Sequence, residues 1–382
     1  MTKLTHVGYI VSHYPHEVFG HDGGLGTSVF NLVEMLSQKI KVSVFVYGQE
    51  KNFEIKEGNH TIYSIKNTTK KPGFYFNRKH IESFINRKIK EEAIQLIEAP
   101  DWTGITAFMK FPIPLVIRFH GSDTYFCHIE GRKQKWKNKF FERVAVSGAD
   151  AFIAPTAYAG KVSKELFKVT KQVETIHYGL KLENFDNDEP ESFTEGLIFY
   201  IGTLIRKKGV LELPHIFKNV LNRCPNAQLV LAGSDAPDIE TGASSTWELI
   251  QDMMDESLSK QVTYMGKIPY SKVREMVQKA HVCVFPTYAE TLGMVTIESM
   301  AMQKPVVNSN IGWAQELMED GKSGFLVHPS NHEFYSQRII SLLSDKELSL
   351  NIGKEGRVYV EEKFDIRKQA EKNIEFYTQL LS

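Results

Sequence analysis

The sequence predicts an α/β fold built from two doubly wound, Rossmann-like domains, and three observations lead to that prediction. Short apolar runs alternate with loops and amphipathic helices, which is the βαβ pattern of parallel sheets. The pattern breaks at an acidic, Pro-containing stretch around residues 181–195 and then starts again. The length of 382 residues exceeds what one hydrophobic core usually holds. We therefore predict a first domain over residues 1–180 and a second over residues 181–362.

In the first half, short apolar runs predict strands, and apolar residues at three- and four-residue spacing predict helices. The predicted strands are HVGYIVS (6–12), KVSVFVYG (41–48), AIQLIEAP (93–100), PLVIRFHGSD (114–123), AFIAP (151–155) and the closing VETIHYG (173–179). The predicted helices are 27–39, one starting at Arg78 within the more polar region 62–92, 132–150 and 156–167.

The acidic stretch around 181–195 lacks periodicity, so it is predicted to be a linker. Beyond it the βαβ pattern resumes. The predicted strands are LIFYIGT (197–203), AQLVLAGS (227–234), VTYMG (262–266), VCVFPT (282–287), KPVVNSN (304–310) and GFLVHP (324–329). The predicted helices are 210–224, 241–257, 271–280, 294–302, 333–343 and 367–381. Two such units predict a ligand cleft between them, at the carboxyl ends of both sheets.

The charges are unevenly distributed along the chain. Residues 1–180 hold 25 Lys+Arg against 17 Asp+Glu, whereas the remainder holds 21 against 29. A basic first half and an acidic second half indicate units with different partners. The three cysteines form no C-x-x-C pair, which excludes a cysteine zinc site and fits a reducing compartment. Without a signal peptide or an apolar run of about 18 residues, we expect a cytoplasmic protein.

Two acids in the stretch PTYAETLGMVTIESMAM point to a binding site. Glu290 follows a predicted strand, and Glu298 lies within an otherwise apolar helix. Gly293 precedes that helix, whose first amides could bind phosphate, and a carboxylate beside them can accept hydrogen bonds from sugar hydroxyls. The alternative is structural, with Glu290 as an N-terminal helix acid and Glu298 solvated.

Two further loops carry features of phosphate binding. GTLIRKKG follows a predicted strand and combines Arg206, Lys207 and Lys208 with the start of a helix, which suits a diphosphate. HDGGLGTS contains glycines that permit close approach of a ligand. It is not G-x-G-x-x-G, so a nicotinamide dinucleotide is disfavoured. An ordinary basic surface loop and a glycine-rich turn are the respective alternatives.

His120 stands at a predicted strand end within RFHGSD, where it could reach a cleft or be satisfied structurally. No H-E-x-x-H pattern occurs, so we expect no metal site. The segment 131–143 holds six cations, and Trp136, Phe140 and Val144 recur at four-residue spacing. We predict that this stripe packs on the sheet with the cations solvated. The cations could also face anionic lipid or a lipid-diphosphate acceptor.

Taken together, these stretches resemble the retaining glycosyltransferases of family 4, which have the GT-B fold. The most specific match is PTYAETLGMVTIESMAMQKPVV followed by ELMEDGKSGFLVHP. ADAFIAPTAYAG and HYGLKLENF also resemble family stretches, so the resemblance covers nearly the whole chain. It implies that a C-terminal helix, within 363–382, returns to the first domain. It also implies a nucleotide-sugar donor held by the second domain, and an acceptor beside the first.

The resemblance assigns roles to individual residues. Glu298 resembles the acid that binds the nucleotide ribose, Glu290 the acid that holds the donor sugar, and Lys208 the cation on the diphosphate. His120 resembles a catalytic histidine near the anomeric carbon. The other implied donor-binding residues are Gly24, Gly202, Thr203, Arg206, Gly266, Lys267, Thr291, Leu292, Gly293 and Met294. Gly23, Asp123 and Glu316 are implied at the acceptor or cleft.

Thr203 occupies the place where the family commonly has an arginine of the diphosphate clamp, and Arg206 in the same loop is the alternative cation. The activity implied is the metal-independent, retaining transfer of a hexose or N-acetylhexosamine to a glycan or lipid-linked acceptor. A UDP-sugar is favoured as donor and a GDP-sugar is the alternative, with no cofactor and no nucleic-acid partner. The basic first domain suggests a peripheral contact with the inner face of an anionic membrane.

The sequence leaves three rival activities open. A nucleotide-sugar epimerase of the same two-domain fold would need extra acids and histidines in the cleft and would act without an acceptor. A nicotinamide-dependent oxidoreductase would need a dinucleotide fingerprint that the sequence lacks. A non-enzymatic binding module would release no free nucleotide from the donor.

Overall fold

The structure, a computed structural model, describes residues 3–19 and 24–382. The chain divides into two compact units, Met1–Leu180 with Asp365–Ser382 and Lys181–Phe364. Within these described residues each unit contains one sheet, and all but one of the strand pairings are parallel. The predicted α/β class with two parallel-sheet domains is therefore confirmed.

The first unit carries an eight-stranded sheet in the order β3-β4-β2-β1-β5-β6-β7-β8. Its strands are β1 (His6–Val11), β2 (Lys41–Gln49), β3 (Phe53–Glu57), β4 (His60–Lys66), β5 (Leu96–Pro100), β6 (Leu115–Arg118), β7 (Ala151–Ala154) and β8 (Val173–Thr175). Its first helices are α1 (Gly24–Leu36), α2 (Gly73–Glu92), α3 (Asp123–Ile129), α4 (Trp136–Ser147) and α5 (Ala157–Phe167). Every residue of β1 is buried, as expected of a central parallel strand covered on both faces.

The hairpin β3–β4 is absent from the sequence prediction. Its strands pair antiparallel, with Glu57 opposite His60, so Gly58 and Asn59 form a two-residue turn. Residues of β3 are exposed or half-buried, because this strand lies at the sheet edge. An edge strand gives a weak apolar signal, and the Gly-Asn pair was the signal that could have revealed the hairpin.

Helix α4 corrects the predicted packing of the stripe Trp136, Phe140 and Val144. Trp136 is 78% exposed and Phe140 is 47% exposed, whereas Phe141, Glu142, Ala145 and Val146 are buried. The rotation of the helix is fixed by Glu142, whose carboxylate accepts the backbone N–H groups of Asp123 and Thr124 at 2.9 and 3.0 Å. Apolar residues recur at four-residue spacing on two faces of α4. The face that carries Phe141, Ala145 and the buried Glu142 is the one that faces inward.

The second unit carries a six-stranded sheet in the order β11-β10-β9-β12-β13-β14. Its strands are β9 (Leu197–Ile201), β10 (Gln228–Ala232), β11 (Val262–Tyr264), β12 (Val282–Phe285), β13 (Val306–Asn308) and β14 (Phe325–Leu326). Its helices are α6 (Leu213–Leu221), α7 (Thr246–Asp252), α8 (Glu256–Ser259), α9 (Tyr270–Lys279), α10 (Met294–Ala301), α11 (His332–Ser344) and α12 (Lys346–Lys363). This is the strand order of a doubly wound nucleotide-binding fold.

Two parts of the second unit differ from the sequence prediction. The stretch 181–195 is not a free linker, because Asn187 Nδ2 donates to the Met302 carbonyl at 2.9 Å and Phe193 stacks on His281 at 4.1 Å between ring centroids. Helix α12 is additional to the two terminal helices predicted. Gly353 and Gly356 interrupt its sequence pattern, yet both are buried within the helix.

The last helix, α13 (Ile366–Leu380), belongs to the first unit. Tyr377 is fully buried and its hydroxyl donates to Glu98 Oε2 at 2.5 Å. Glu98 in turn pairs with Arg118 through bonds of 2.7 and 3.0 Å. A buried ion pair needs such additional hydrogen bonds to offset the desolvation of its charges. The C-terminal helix thus completes the buried polar network of this unit.

In the described ranges 3–19 and 24–382, every helix is too short or too polar to cross a lipid bilayer.

Candidate active site

The predicted donor site lies where the strand order of the second unit reverses. Strands β9 and β12 are neighbours, although β10 and β11 follow β9 in the chain on the other side of the sheet. In doubly wound folds, ligands bind at the carboxyl ends of the strands at such a reversal. The loop after β9 carries Lys208, and the loop after β12 carries Glu290.

The backbones of these two loops touch. Gly209 has a φ of +69°, and a Cβ placed there would lie 1.7 Å from the Pro286 carbonyl oxygen. The Lys207 carbonyl accepts the backbone N–H groups of Tyr288 and Ala289 at 2.8 and 3.3 Å. Only glycine permits both this conformation and this approach. The loops are therefore held in a fixed relation by their own backbones.

This arrangement brings Lys208 and Glu290 into direct contact, with Lys208 Nζ donating to Glu290 Oε1. About a fifth of each side chain is exposed, so the pair is partly desolvated and still accessible. Burial, and then the charge of Lys207, lower the pKa of Lys208. The contact with Glu290 acts in the opposite direction, because a carboxylate favours the charged ammonium.

The start of α10 lies directly after Glu290. Gly293 has a φ of +96° and precedes Met294, the first residue of the helix. Thr291 and Leu292, which lie between Glu290 and Gly293, are buried. The Thr291 N–H approaches Glu290 Oε2 at 3.4 Å. The first amides of a helix lack intrahelical acceptors, so this segment presents donors beside the Lys208–Glu290 pair.

Glu298 lies one helical turn further along α10, and its partner is a residue that the sequence did not single out. The Tyr270 hydroxyl, at the start of α9, donates to the Glu298 carboxylate. Burial raises the pKa of Glu298 to about 7, and the Tyr270 hydroxyl counteracts that rise. Half of Tyr270 is exposed, so a ligand hydroxyl could replace it on the carboxylate.

Arg206 is engaged elsewhere in this conformation. Its Nε and Nη2 donate to the two oxygens of Asp238 at 3.0 and 2.8 Å, and Glu240 lies 3.2 Å from Nε. The Arg206 guanidinium holds the pKa of Asp238 well below its ordinary value. Thr203 is exposed. The structure therefore brings Lys208, rather than Arg206, to Glu290.

The remaining predicted donor residues lie at neighbouring strand ends. The Gly202 N–H donates to the Ala232 carbonyl, and the Gly266 carbonyl accepts from Gly233, at 3.0 and 2.9 Å. Lys267, beside Gly266, is exposed. Glu316 ends a 3₁₀ turn over Gly312–Glu316, and its carbonyl accepts the Tyr359 hydroxyl at 3.1 Å.

In the first unit, His120 follows β6 and is tied to two residues that sequence reasoning overlooked. Its Nδ1 lies 2.6 Å from the Tyr178 hydroxyl, and the two rings stack. Asp101, after β5, accepts the backbone N–H groups of His120 and Ser122 at 2.9 Å each. Burial, and then the charge of Arg118, hold the pKa of His120 well below its ordinary value, which favours the neutral imidazole.

Asp101 is itself a buried carboxyl, and burial followed by the charge of Glu142 raises its pKa to about 7. Its position directly after a predicted strand was the signal that could have identified it. Together with His120, it lies at the carboxyl edge of the first sheet, where β1 and β5 are neighbours and the strand order reverses.

The other predicted residues of the first unit are Asp123, Gly24 and Gly23. The Asp123 carboxylate accepts Asn138 Nδ2 at 3.1 Å, on the side of α3 that faces α4. Gly24 is the first residue of α1, and Gly23 lies outside the described residues. Within the described parts of the chain, no group of three His, Cys, Asp or Glu residues could hold a metal ion.

The solved structures that resemble this chain establish its fold. A sucrose-phosphate synthase from Thermosynechococcus elongatus superposes with a TM-score of 0.79 at 20% identity, covering 98% of this chain and 99% of that one. Anabaena HepE, in complex with UDP-glucose, superposes with a TM-score of 0.71 at 17% identity, covering 98% and 99%. The fold is that of the GT-B glycosyltransferases.

Protein relatives agree with this fold. Alpha-maltose-1-phosphate synthase of Mycolicibacterium smegmatis is 25% identical, over 97% of this chain and 98% of that protein. The capsular polysaccharide biosynthesis glycosyltransferase CapM of Staphylococcus aureus is 31% identical, over 49% of each. These relatives do not favour the two rival activities, the nucleotide-sugar epimerase and the nicotinamide-dependent oxidoreductase.

Two family models match successive parts of the chain. Residues 22–184 match the model described as Glycosyltransferase Family 4, and residues 183–359 match the one described as Glycosyl transferases group 1. With these two matches extending over residues 22–359, the chain belongs to the family 4 glycosyltransferases.

Proposed function

We propose that this glycosyltransferase moves a hexose or N-acetylhexosamine from a UDP-sugar to a glycan or lipid-linked acceptor, with retention at the anomeric carbon. The observation that carries the proposal is the contact of Lys208 with Glu290 at the reversal of strand order in the second sheet. Both side chains are partly desolvated and still accessible. The cation suits the diphosphate of a nucleotide sugar, and the carboxylate suits the hydroxyls of its sugar.

Each residue of the site then has a distinct task. Lys208 and the first amides of α10 stabilise the negative charge that develops on the leaving diphosphate. Glu290 accepts hydrogen bonds from hydroxyls of the transferred sugar and orients it. Glu298 accepts the ribose hydroxyls in place of the Tyr270 hydroxyl. The donor thereby provides hydrogen-bond partners for both carboxylates.

His120 acts in its neutral form. Nδ1 is hydrogen-bonded to the Tyr178 hydroxyl, so the tautomer of His120 depends on which of the two groups donates that bond. Stacking on Tyr178 holds the imidazole ring in place. A neutral imidazole can donate or accept a hydrogen bond at the donor sugar without adding a charge. In the retaining reaction, the leaving phosphate accepts the proton of the acceptor hydroxyl on the same face of the sugar. No metal ion or cofactor is needed for these steps.

The choice of partners draws on the relatives. HepE was solved with UDP-glucose, which favours a UDP-sugar over a GDP-sugar. CapM is named for capsular polysaccharide biosynthesis, which favours a glycan or lipid-linked acceptor of the kind used for surface polysaccharides. The positive charge of the first unit supports an anionic membrane surface as a third partner, and with it a peripheral location at the inner face of the membrane.

A donor panel with Glu290→Ala tests the proposal. Wild type should transfer sugar from one or more UDP-sugars, and Glu290→Ala should lower the transfer rate about 100-fold or more, the scale of losing a group that orients the reacting sugar. A thermal-shift screen of UDP- and GDP-sugars identifies the base, because a ligand of the native state alone raises its stability. Glu275→Ala, which removes an exposed acid paired with Lys272 and Lys279, is the control.

Unchanged turnover in Glu290→Ala would contradict the role of this carboxylate. Stabilisation by GDP-sugars alone would replace UDP as the donor base. Inversion of the anomeric configuration, read by NMR of the product, would remove retention from the proposal.

A further inference from the structure

An aromatic cluster on the first unit has no role in the proposed reaction. Ring centroids are 5.4 Å apart between Phe74 and Phe141, 6.0 Å between Phe108 and Phe141, 6.2 Å between Phe108 and Phe140, and 5.9 Å between Tyr75 and Phe108. The rings therefore form one continuous cluster from the start of α2 to α4, with Phe141 as a buried central member.

The outer members of this cluster are exposed to solvent. Trp136 lies one helical turn before Phe140 on α4, and residues four apart share a helix face. We call the exposed set the aromatic face; its members and exposed fractions are Phe74 (43%), Tyr75 (39%), Trp136 (78%) and Phe140 (47%). Several large aromatic side chains left exposed side by side mark a surface that meets a partner.

The aromatic face is surrounded by positive charge. Lys137 Nζ lies 5.4 Å from the ring centroid of Phe74. The exposed cations of the same segment are Lys133, Lys135, Lys137, Lys139 and Arg143, and the exposed Lys70 and Lys71 precede Phe74. Between residues 131 and 143 the sole acid is Glu142, and its carboxylate is turned inward onto the amides of α3. The outward charge of this surface is therefore positive.

This combination selects the partner. A second copy of the chain would bring two sets of lysines together, and like charges directly opposed are destabilising. An anionic bilayer offers negative charge to the lysines. It also offers an interface to the rings, because aromatic side chains are enriched at the level of the headgroups.

We propose that the aromatic face docks this protein on an anionic lipid bilayer, with Trp136 and Phe140 entering the interface and the surrounding lysines facing the headgroups. This proposal specifies the surface that would make the membrane contact of the proposed function. It rests on that function for its purpose, because docking would bring the enzyme to a lipid-linked acceptor. Docking itself depends on neither Lys208 nor Glu290.

Vesicle binding in the absence of any donor tests the proposal. Phosphatidylcholine vesicles containing phosphatidylglycerol should bind the wild-type protein, should lose it as salt is raised, and should outcompete vesicles of phosphatidylcholine alone. Trp136→Ala with Phe140→Ala should weaken the partition constant about tenfold or more, since two aromatic side chains no longer enter the interface. The control is Ile239→Ala with Val358→Ala, two exposed apolar residues of the second unit.

Two further readouts separate docking from folding and from catalysis. Tryptophan emission should shift to shorter wavelength on vesicle binding, and Trp136→Phe should remove that shift. Both substituted positions are exposed, so thermal unfolding and stabilisation by a UDP-sugar should match the wild type; a failed transferase with intact vesicle binding would overturn only the proposed function.

Equal vesicle binding by the aromatic variant and the wild type would overturn the proposal, as would binding that ignores phosphatidylglycerol. Self-association of the wild type that is lost in the aromatic variant, with no vesicle binding by either, would overturn it as well and assign the face to a second copy of the chain.

Discussion

Lys208 and Glu290 lie 82 positions apart in the chain and form a direct hydrogen bond. The contact follows from topology, because β9 and β12 are neighbours in the sheet and each residue lies in the loop at the carboxyl end of its strand. We propose that each of these opposite charges neutralises the other until a donor separates them. The diphosphate would take the lysine, and the sugar hydroxyls would take the carboxylate.

Lys208→Met should therefore impair the donor step more than it impairs folding. Methionine retains most of the volume of the lysine stem but leaves Glu290 without its cation. A hydrogen bond to a charged group contributes about 1.5–3 kcal/mol, so kcat/KM for the donor should fall about 10- to 100-fold. Steady-state transfer with a varied UDP-sugar measures this loss.

An exposed lysine of the same unit provides the control. Lys279 pairs with Glu275 at 2.7 Å on the surface of α9, and exposed pairs contribute little to stability. Lys279→Met should leave kcat/KM within about twofold of the wild type, given that scale. Equal losses in the two variants would show that net charge, rather than the contact with Glu290, sets the rate.

Gly209→Ala should disrupt the site through the backbone. A methyl group at this position would lie 1.7 Å from the Pro286 carbonyl oxygen, so the two loops must separate and carry Lys208 away from Glu290. Positive φ adds a strain of about 1–2 kcal/mol for a residue with a Cβ. We expect a lower unfolding midpoint together with loss of stabilisation by the UDP-sugar, both measured by thermal shift.

Gly242→Ala separates the clash from the strain. Gly242 also has a positive φ, +78°, but no heavy atom lies within 4 Å of the position that an alanine methyl group would take. This variant should lower the midpoint slightly and retain the response to the UDP-sugar. If both alanine variants keep that response, the backbone contact at Gly209 does not hold the site together.

The sequence was sufficient to predict that the loops of Lys208 and Glu290 meet, because its signals there are local and strong. Apolar runs located β9 and β12, and the doubly wound pattern predicts that loops after such strands converge. It could not supply Tyr270, because its position beside Glu298 depends on where the first residue of α9 lies relative to α10. It also could not orient α4, because the inward turn of Glu142 depends on the amides of α3, which no periodicity reveals.

Glu298 should make donor affinity depend on pH. Its pKa is raised to about 7 by burial, and only the ionised carboxylate can accept from both ribose hydroxyls. Between about pH 6 and about pH 8 its ionised fraction rises about tenfold for a pKa of about 7. The ratio of the UDP-glucose dissociation constants of Glu298→Gln and wild type should therefore rise by up to about that factor, measured by calorimetry.

Deprotonation of Lys208 as pH rises should weaken donor binding, the opposite of the effect of Glu298. The wild type and Glu298→Gln both retain Lys208, so the ratio of their dissociation constants isolates the effect of Glu298. Tyr270→Phe provides the second variant, because the lost hydroxyl had favoured the ionised carboxylate and its removal should move the pH midpoint of binding upward. A ratio that stays constant with pH would exclude Glu298 as a titrating ligand of the donor.

Asp101 should give the protein a stability that falls as pH rises. Its pKa is raised to about 7 in the folded state, mainly by burial, so the folded state holds a proton that the unfolded state releases near the ordinary value. Between about pH 4 and about pH 7, the free energy of unfolding should decrease by up to about 1.4 kcal/mol per pH unit from this group. Asp101→Asn should flatten that slope, measured by urea denaturation at several pH values.

The same substitution should slow transfer, because an amide cannot accept the N–H groups of both His120 and Ser122 as the carboxyl does. Losing one such bond and moving the His120 loop should lower kcat about tenfold, on the scale of about 1.4 kcal/mol. Asp150→Asn is the matched control: it removes an exposed carboxylate that accepts the Leu115 N–H at 2.9 Å, and it should keep both the wild-type slope and the wild-type rate. A slope that is not reduced in Asp101→Asn would assign the pH dependence to another buried carboxyl group, with Glu298 and Glu142 as the next to substitute.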